Sequence, residues 1–168
     1  MTATIHNYGC VLKEELPGLD MSSALTLLGD AITQQVLRAL DGTGLRPGHG
    51  YVIQRLLTGP ATATEIADDL GVSQQAVSKV FRELLSLGHI EVAAAGDDRR
   101  RRPMALTATG RHAVETARAA RRRLDAQLRE ALGADRFDTT MAALRTALDA
   151  LGLADRVRRR AVRPPDEA

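Results

Sequence analysis

Two short helix patterns joined by a tight turn constrain the fold of this chain more than any other feature. Thr62 is followed three residues later by Glu65, a capping-box pattern that predicts the start of a short helix. Gly71 suits the position just after that helix, because glycine readily adopts positive φ angles. Ser73 is then available as the N-cap of a second helix that reaches about Leu87. The pattern predicts a helix-turn-helix.

The second of these helices has one apolar side and one polar side. The apolar side comprises Val77, Val80, Phe81, Leu84 and Leu85. The polar side, concentrated in the first two turns, comprises Gln74, Gln75, Ser78, Lys79 and Arg82. Glutamine can pair with adenine, and lysine or arginine with guanine, so these residue types can read base edges from the start of a helix. An ordinary amphipathic helix has the same pattern, so this helix alone favours DNA binding only weakly.

A basic hairpin pattern follows directly. Residues 89–93 alternate as a strand does, and residues 103–106 form a plausible return strand with Pro103 at its start. The intervening loop holds Asp97, Asp98 and four consecutive arginines, Arg99, Arg100, Arg101 and Arg102. Arginines on such a wing can enter the minor groove, and the aspartates can hold the turn and orient a guanidinium. A charged loop without regular structure would have the same composition.

Positive charge is concentrated in the middle of the chain. Residues 71–123 carry eleven basic and five acidic groups, whereas residues 1–70 carry four basic and eight acidic ones and residues 124–168 carry eight of each. The whole chain has a net charge of +2. A local basic zone in a nearly neutral chain indicates a surface that binds a polyanion.

The flanking segments carry more apolar surface than a small winged-helix core can cover. Apolar residues recur at helical spacing over 21–40, 111–132 and 137–151, and a shorter helix is expected from about His49 to Leu57. The last of the three long helices has a heptad-like seam suited to pairing with another helix. A two-fold dimer would bury these stripes and place two DNA-reading helices about 34 Å apart, one turn of the duplex.

Four stretches of the sequence resemble the MarR family of bacterial transcription regulators. They are ATEIADDLGVSQQAVSK (63–79), LLSLGHI (84–90), DDRRRR (97–102) and LTATG (106–110), within a likeness that extends over roughly residues 20–152. The resemblance implies a mainly α fold: a winged helix-turn-helix with a small antiparallel β wing, plus N- and C-terminal helices that form a helical dimerisation domain.

We expect four parts on this basis. They are an N-terminal dimerisation arm (residues 1–45), a DNA-binding domain (46–110), C-terminal dimerisation helices (111–154) and a basic tail that is disordered (155–168). The resemblance implies that the second helix enters the major groove and that Asp98 pairs with Arg99 or Arg100 at the wing tip. The expected DNA-binding residues are Ser73, Gln74, Gln75, Ser78, Lys79, Arg82, Asp98, Arg99, Arg100, Arg101 and Arg102.

The resemblance also implies how such a protein works. The expected function is that of a homodimeric repressor that binds a pseudo-palindromic operator in double-stranded DNA. A small aromatic acid or phenol, bound between the dimerisation helices and the winged domain, would release it by favouring the arrangement that does not bind DNA. Polar residues near the expected junctions of these elements are candidates for the effector site: Arg46, His49, Tyr51, Arg111 and His112.

Other functions are less well supported. The four histidines are scattered and no phosphate-binding loop or nucleophile motif is present, so neither an enzyme nor a metal site or cofactor is expected. A redox-sensing regulator that acts through Cys10 is an alternative, as is a winged-helix module that binds an acidic protein without operator specificity. No apolar run is long enough to cross a membrane and no secretory signal pattern is present, so a cytoplasmic protein is expected.

Overall fold

A computed structural model describes residues 18–93 and 102–158, and in these ranges the chain is mainly helical. The helices are α1 (Met21–Ala39), α2 (Pro47–Leu56), α3 (Ala63–Leu70), α4 (Gln74–Ser86), α5 (Ala108–Leu132), α6 (Ala134–Ala150) and α7 (Ala154–Arg158). The strands are β1 (Ile90–Val92) and β2 (Met104–Leu106), which lie between α4 and α5 in the chain. This order of elements confirms the expected winged helix-turn-helix with flanking helices.

Local capping determines where most helices begin. The side chains of Asp20, Thr62, Ser73 and Thr107 each accept a hydrogen bond from a backbone N–H of the first turn that follows. Helix α2 begins at Pro47, whose ring suits the first helical position. Helix α6 begins at Ala134, directly after Gly133 and three residues before the predicted apolar stripe.

The two strands form the antiparallel hairpin that the sequence predicts. Ile90 is paired with Leu106 and Val92 with Met104, so the pairing extends to the last residue of β2, next to the start of α5. Ala61, just before α3, forms an isolated bridge with Met104, which attaches the hairpin to the helix-turn-helix. Asp98, Arg99, Arg100 and Arg101 lie outside the described residues, as does Cys10.

The main hydrophobic core lies in the winged-helix part, between α2, α3, α4, the hairpin and the start of α5. Ile66 and Leu84 are completely buried, and Val77, Phe81 and Leu106 lie in the same cluster. Leu85, which the sequence placed on the apolar side of its helix, is instead partly exposed. The core therefore buries one face of α4 and leaves the opposite face free of internal packing.

A second, smaller core joins α1 to α5. It consists of Val36, Leu40, Ala113, Ala120 and Leu124. Ile32 of α1 is partly buried against this core. No residue of α6 is buried, and several large apolar residues of α1 and α6 are exposed. Within residues 18–93 and 102–158, no helix is long and apolar enough to span a membrane.

Only the first four residues of the expected basic tail are described. Residues 155–158 are helical, as part of α7, and α7 contacts α6. Leu153 donates its N–H to the carbonyl of Leu148 and Val157 donates to Leu153, so the backbone continues here in hydrogen-bonded turns and not in the expected disorder. Residues 159–168 lie outside the part that the structure describes.

Candidate DNA interface and ligand cavity

The turn between α3 and α4 is built from residues that suit it individually. Thr62 and Glu65 form the predicted capping box at the start of α3, with the Thr62 N–H donating to the Glu65 carboxylate at 2.8 Å. Gly71 ends α3 in the left-handed region with φ of 68°, and the N–H of Val72 donates to the Ala67 carbonyl at 3.0 Å. This tight turn holds α4 across α3 and exposes its N-terminal turns.

The polar residues of α4 share an exposed side, as the sequence predicts. Gln74, Gln75, Lys79 and Arg82 are exposed and Ser78 is half-buried. Ser73 is exposed as well, but its hydroxyl accepts from the Ala76 N–H at 3.1 Å and so caps the helix. The amide, ammonium and guanidinium groups of this side are the types that pair with base edges and phosphates.

The wing lies next to this surface in the chain, and only its base is described. Arg102 is exposed and lies two residues before β2, which begins at Met104. The hairpin is tied to the end of α4 because the Thr107 hydroxyl donates to the Gly88 carbonyl at 2.7 Å and the His89 N–H donates to the Leu84 carbonyl at 2.9 Å. The predicted contribution of the wing-tip arginines falls outside the described residues.

A polar cluster connects α4 to the start of α2. It consists of Arg46, His49 and Glu83, and we call it the Arg46–His49–Glu83 cluster. His49 Nε2 lies 2.8 Å from Oε2 of Glu83, and the Arg46 guanidinium donates to the same oxygen. His49 Nδ1 accepts the backbone N–H of Arg46 at 3.2 Å, so the ring of His49 also caps α2. Since Nδ1 accepts, Nε2 carries the hydrogen in this arrangement and donates to Glu83.

The cluster lowers the pKa of Glu83 to about 2 from an ordinary value of 4.5. The main cause is the hydrogen bond from His49, followed by the hydrogen bond from Arg46, because both favour the charged carboxylate. The His49 side chain is 3% exposed and that of Glu83 is 28% exposed. Glu83 is therefore an anion at neutral pH that receives donors from another helix.

A cavity of about 470 Å³ lies between α1, α2 and α5. Apolar residues form much of its wall, including Val36, Leu40 and Val114. The ionisable residues in its lining are Arg46, His49, Tyr51 and Arg121, and no carboxylate occurs among the described residues that line it. A mainly apolar wall with a few convergent donors is typical of a small-molecule site, and these donors favour an anion.

Three of the five candidate effector residues meet at this cavity, and two do not. Arg46, His49 and Tyr51 line it, whereas Arg111 and His112 are exposed on α5 and do not. Sequence reasoning missed Thr33, Gln54 and Arg121, which are part of the lining. A signal for Arg121 was available, because it lies seven residues after Val114 on the same helical stripe.

Comparison with known proteins shows which family and which solved structures this chain resembles. Residues 43–101 match the model of the MarR family, a stretch that contains α2, α3, α4, the turn between α3 and α4, and β1. Over these residues, the match confirms the resemblance noted in the sequence. No curated protein matches the sequence.

Solved structures resemble most of the described fold. The MarR family protein Rv2887 of Mycobacterium tuberculosis, in complex with salicylic acid, is 26% identical, with 78% of this chain and 98% of that chain covered and a TM-score of 0.57. YusO of Bacillus subtilis is 26% identical, with 79% and 93% covered and a TM-score of 0.61. The transcriptional repressor CouR, bound to a 23-mer DNA duplex, is 25% identical, with 76% and 92% covered and a TM-score of 0.59.

Proposed function

We propose that this chain is a regulator of the MarR family, a homodimeric repressor that binds a pseudo-palindromic operator and is released by a small aromatic acid or phenol. The observation that carries the DNA-binding part is the division of α4 into two faces. Val77, Phe81 and Leu84 are buried in the core, while Gln74, Gln75 and Lys79 are exposed on the other side. A helix that is anchored on one face and offers amides and a cation on the other is suited to the major groove.

Exposed apolar residues support the homodimer. Met21, Leu25, Leu27 and Leu28 on α1 and Leu151 after α6 are all exposed in the single chain. Apolar surface of this extent on α1 and after α6 is typical of an oligomer interface. A two-fold arrangement would cover both patches and present two copies of α4 to one side of the duplex.

The cavity supports release by an acid. Its apolar wall suits an aromatic ring, and Arg46 and Arg121 suit a carboxylate or a phenolate. Arg46 and His49 also donate to Glu83 on α4. An anionic ligand would therefore compete with Glu83 for the donors that attach the DNA-reading helix to α2. This competition would link ligand binding to DNA affinity.

Two substitutions test the DNA-binding part. Gln75→Ala should reduce the preference for the duplex that the protein selects from a random pool, because an amide that reads a base would be lost. Arg102→Ala should weaken binding to selected and scrambled duplexes alike, because a phosphate contact carries no sequence information. Fluorescence anisotropy at two salt concentrations measures both effects. Equal binding of selected and scrambled duplexes by the wild type would contradict the proposal and favour a charged protein-interaction module.

The effector part is tested with salicylic acid and the homodimer. Salicylic acid should bind with micromolar to millimolar affinity and weaken operator binding, and Arg121→Gln should weaken salicylic acid binding. Arg118→Gln is the matched control, because Arg118 lies on the same helix but is not part of the cavity lining. Calorimetry of both variants measures the difference, and equal effects of the two substitutions would place the ligand elsewhere.

A further inference from the structure

Glu83 occupies a position where helix and DNA electrostatics both disfavour a carboxylate. It lies three residues before the last residue of α4, close to the helix end that carries a partial negative charge. It also lies on the helix that presents Lys79 and Arg82, where a negative charge opposes attraction to phosphate. A neutral residue would avoid both penalties, so the contacts of Glu83 with other elements account for its placement better than its own helix does.

Those contacts are directional and come from a single neighbouring helix. His49 Nε2 donates to Oε2 of Glu83 at 2.8 Å, and the Arg46 guanidinium donates to the same oxygen. The His49 ring has little freedom to move, since it is 3% exposed and its Nδ1 is occupied by the backbone N–H of Arg46. The carboxylate is thus held by a rigid donor that belongs to the start of α2.

A contact of this kind restrains a motion that apolar packing restrains poorly. Val77, Phe81 and Leu84 hold α4 at its distance from the core, but contacts between apolar side chains are not directional and permit a small rotation about the helix axis. Glu83 lies at the border of the buried face of α4, and its hydrogen bond to His49 opposes such a rotation. Groups that recognise a ligand need this support from locked neighbours, because a small misorientation removes most of their hydrogen-bond energy.

We propose that Glu83 is a positioning residue for DNA recognition, which fixes the rotation of α4 through His49 and Arg46 so that Gln74, Gln75 and Lys79 face the duplex. This inference rests on the proposed function, since it assumes that α4 reads bases. It adds a residue that does not itself contact DNA and that carries the charge opposite to the one expected of a DNA-binding surface.

The sign of the effect separates this role from simple electrostatics. Glu83→Gln removes one negative charge from the protein and keeps the shape of the side chain. Electrostatics alone predicts tighter binding to any DNA, because one repulsive charge is lost. Positioning predicts the opposite for the duplex that the wild type selects from a random pool: binding weaker by about tenfold, the scale of a lost charge-assisted contact, with scrambled DNA bound as well as before or slightly better.

Glu115→Gln is the matched control. Glu115 lies on α5, is exposed, and accepts from Arg118 at 2.6 Å, so the substitution removes the same charge and also breaks an ion pair with an arginine. It should change binding to selected and scrambled duplexes in the same direction and by less than about twofold. The ratio of the two affinities, measured by fluorescence anisotropy, is therefore the readout that a general loss of charge would not move.

A second variant keeps the inference testable if Glu83→Gln folds poorly. Arg46→Gln removes the other side of the ion pair, and the double variant Arg46→Gln/Glu83→Gln has the net charge of the wild type. All three variants should show a reduced ratio, and the reduction should be smaller in Arg46→Gln, which keeps the hydrogen bond from His49 to Glu83. The double variant should resemble Glu83→Gln, because both lose the carboxylate and the losses do not add. Thermal unfolding of every variant shows which of them are folded at the assay temperature.

The outcomes distinguish the inference from the function on which it rests. A wild type that prefers no duplex contradicts the proposed function, and the inference fails with it. A wild type with a clear preference, together with variants that keep the wild-type ratio or bind all DNA more tightly, overturns the inference alone. A reduced ratio in Glu83→Gln and in the double variant, with an unchanged ratio in Glu115→Gln, supports both.

Discussion

The winged-helix part and the flanking helical arm bury their apolar side chains to very different extents. By the winged-helix part we mean α2 to β2, and by the helical arm α1, α6 and α7. Ile66 and Leu84 in the first are 0% exposed, whereas Met21 and Leu151 in the second are 66% and 73% exposed. Both regions have the amphipathic repeats of ordinary helices, yet among the described residues of the helical arm only the C-terminal end of α1 is packed into a core, against α5.

The proposed homodimer would therefore affect the two parts differently. The winged-helix core is well packed in the single chain, so its packing should not depend on protein concentration. The helical arm has apolar faces that contacts among the described residues do not cover, and its stability should rise with concentration if a second copy covers them. The cavity lies where α1 and α5 meet α2, so its wall includes residues of both the helical arm (α1) and the winged-helix part (α2).

The largest expected effect tests the completeness of the winged-helix core. Leu84→Ala should lower the free energy of unfolding by about 2–5 kcal/mol, because it leaves a cavity among residues that cannot collapse around it. Leu148→Ala on α6 should cost about 0.5 kcal/mol or less at low protein concentration, because Leu148 is already partly exposed. Urea unfolding of both variants measures the contrast, and equal costs would remove the distinction between the two regions.

Two glycines sharpen the same contrast through backbone contacts. A Cβ at Gly110 would lie 2.1 Å from the backbone oxygen of His89, so Gly110→Ala should destabilise the protein by about 1–3 kcal/mol. A Cβ at Gly29 in α1 meets nothing within 4 Å, so Gly29→Ala should stabilise the helix by about 0.5–1 kcal/mol. Thermal unfolding at low protein concentration compares the two variants. Unchanged stability of Gly110→Ala would show that the contact between the start of α5 and the backbone of His89 has room for a methyl group.

The exposed face of α1 is expected to control dimerisation. Leu28 is 52% exposed in the single chain, and Leu28→Ser should raise the dissociation constant of the homodimer by about tenfold, which corresponds to about 1.4 kcal/mol of lost apolar burial. Thr26→Ser is the matched control, because Thr26 is exposed and lies about 160° from Leu28 around the axis of α1, so that it should leave the constant unchanged. Sedimentation equilibrium measures both, and a monomeric wild type would contradict the assignment of this face.

The smallest expected effect concerns pH. The pKa of Glu83 is lowered to about 2 in the folded chain, so its contribution to stability is present above its ordinary pKa of 4.5 and is lost as the pH falls towards 2. The wild type should therefore unfold at a higher temperature than Glu83→Gln at pH 6, and the gap should narrow between pH 4.5 and pH 2. Melting curves across this range measure it, and a gap that is independent of pH would exclude this linkage.

Much of the fold could be predicted because its determinants are local. The caps at Thr62, Ser73 and Thr107 and the left-handed Gly71 act within a few residues of themselves, so the sequence is sufficient to place these helix starts and the turn. The polar side of α4 was also predictable, since helical periodicity alone decides which residues share a face. The stripe over residues 21–40 predicted α1 but not how little of it would be buried.

The candidate ligand site was predicted only in part, because its members come from different helices. Arg111 and His112 were plausible from their position near the start of α5, and the next two residues, Ala113 and Val114, do line the cavity. Arg111 and His112 do not line it because they lie on an exposed side of the helix. The way in which α1 packs against α5 decides which side of α5 meets the cavity. It depends on the packing of residues such as Val36 against Ala113, which no local pattern shows.

The amino-acid sequence by itself determined the elements, the turn between α3 and α4 and the two faces of α4, because hydrogen bonds within a few residues and the period of a helix are properties of the chain. Only the tertiary structure decided that Glu83 would meet His49 and Arg46, more than thirty residues earlier, and that Arg121 would enter the cavity wall. Such contacts arise when helices pack, and packing depends on the shapes of many side chains at once.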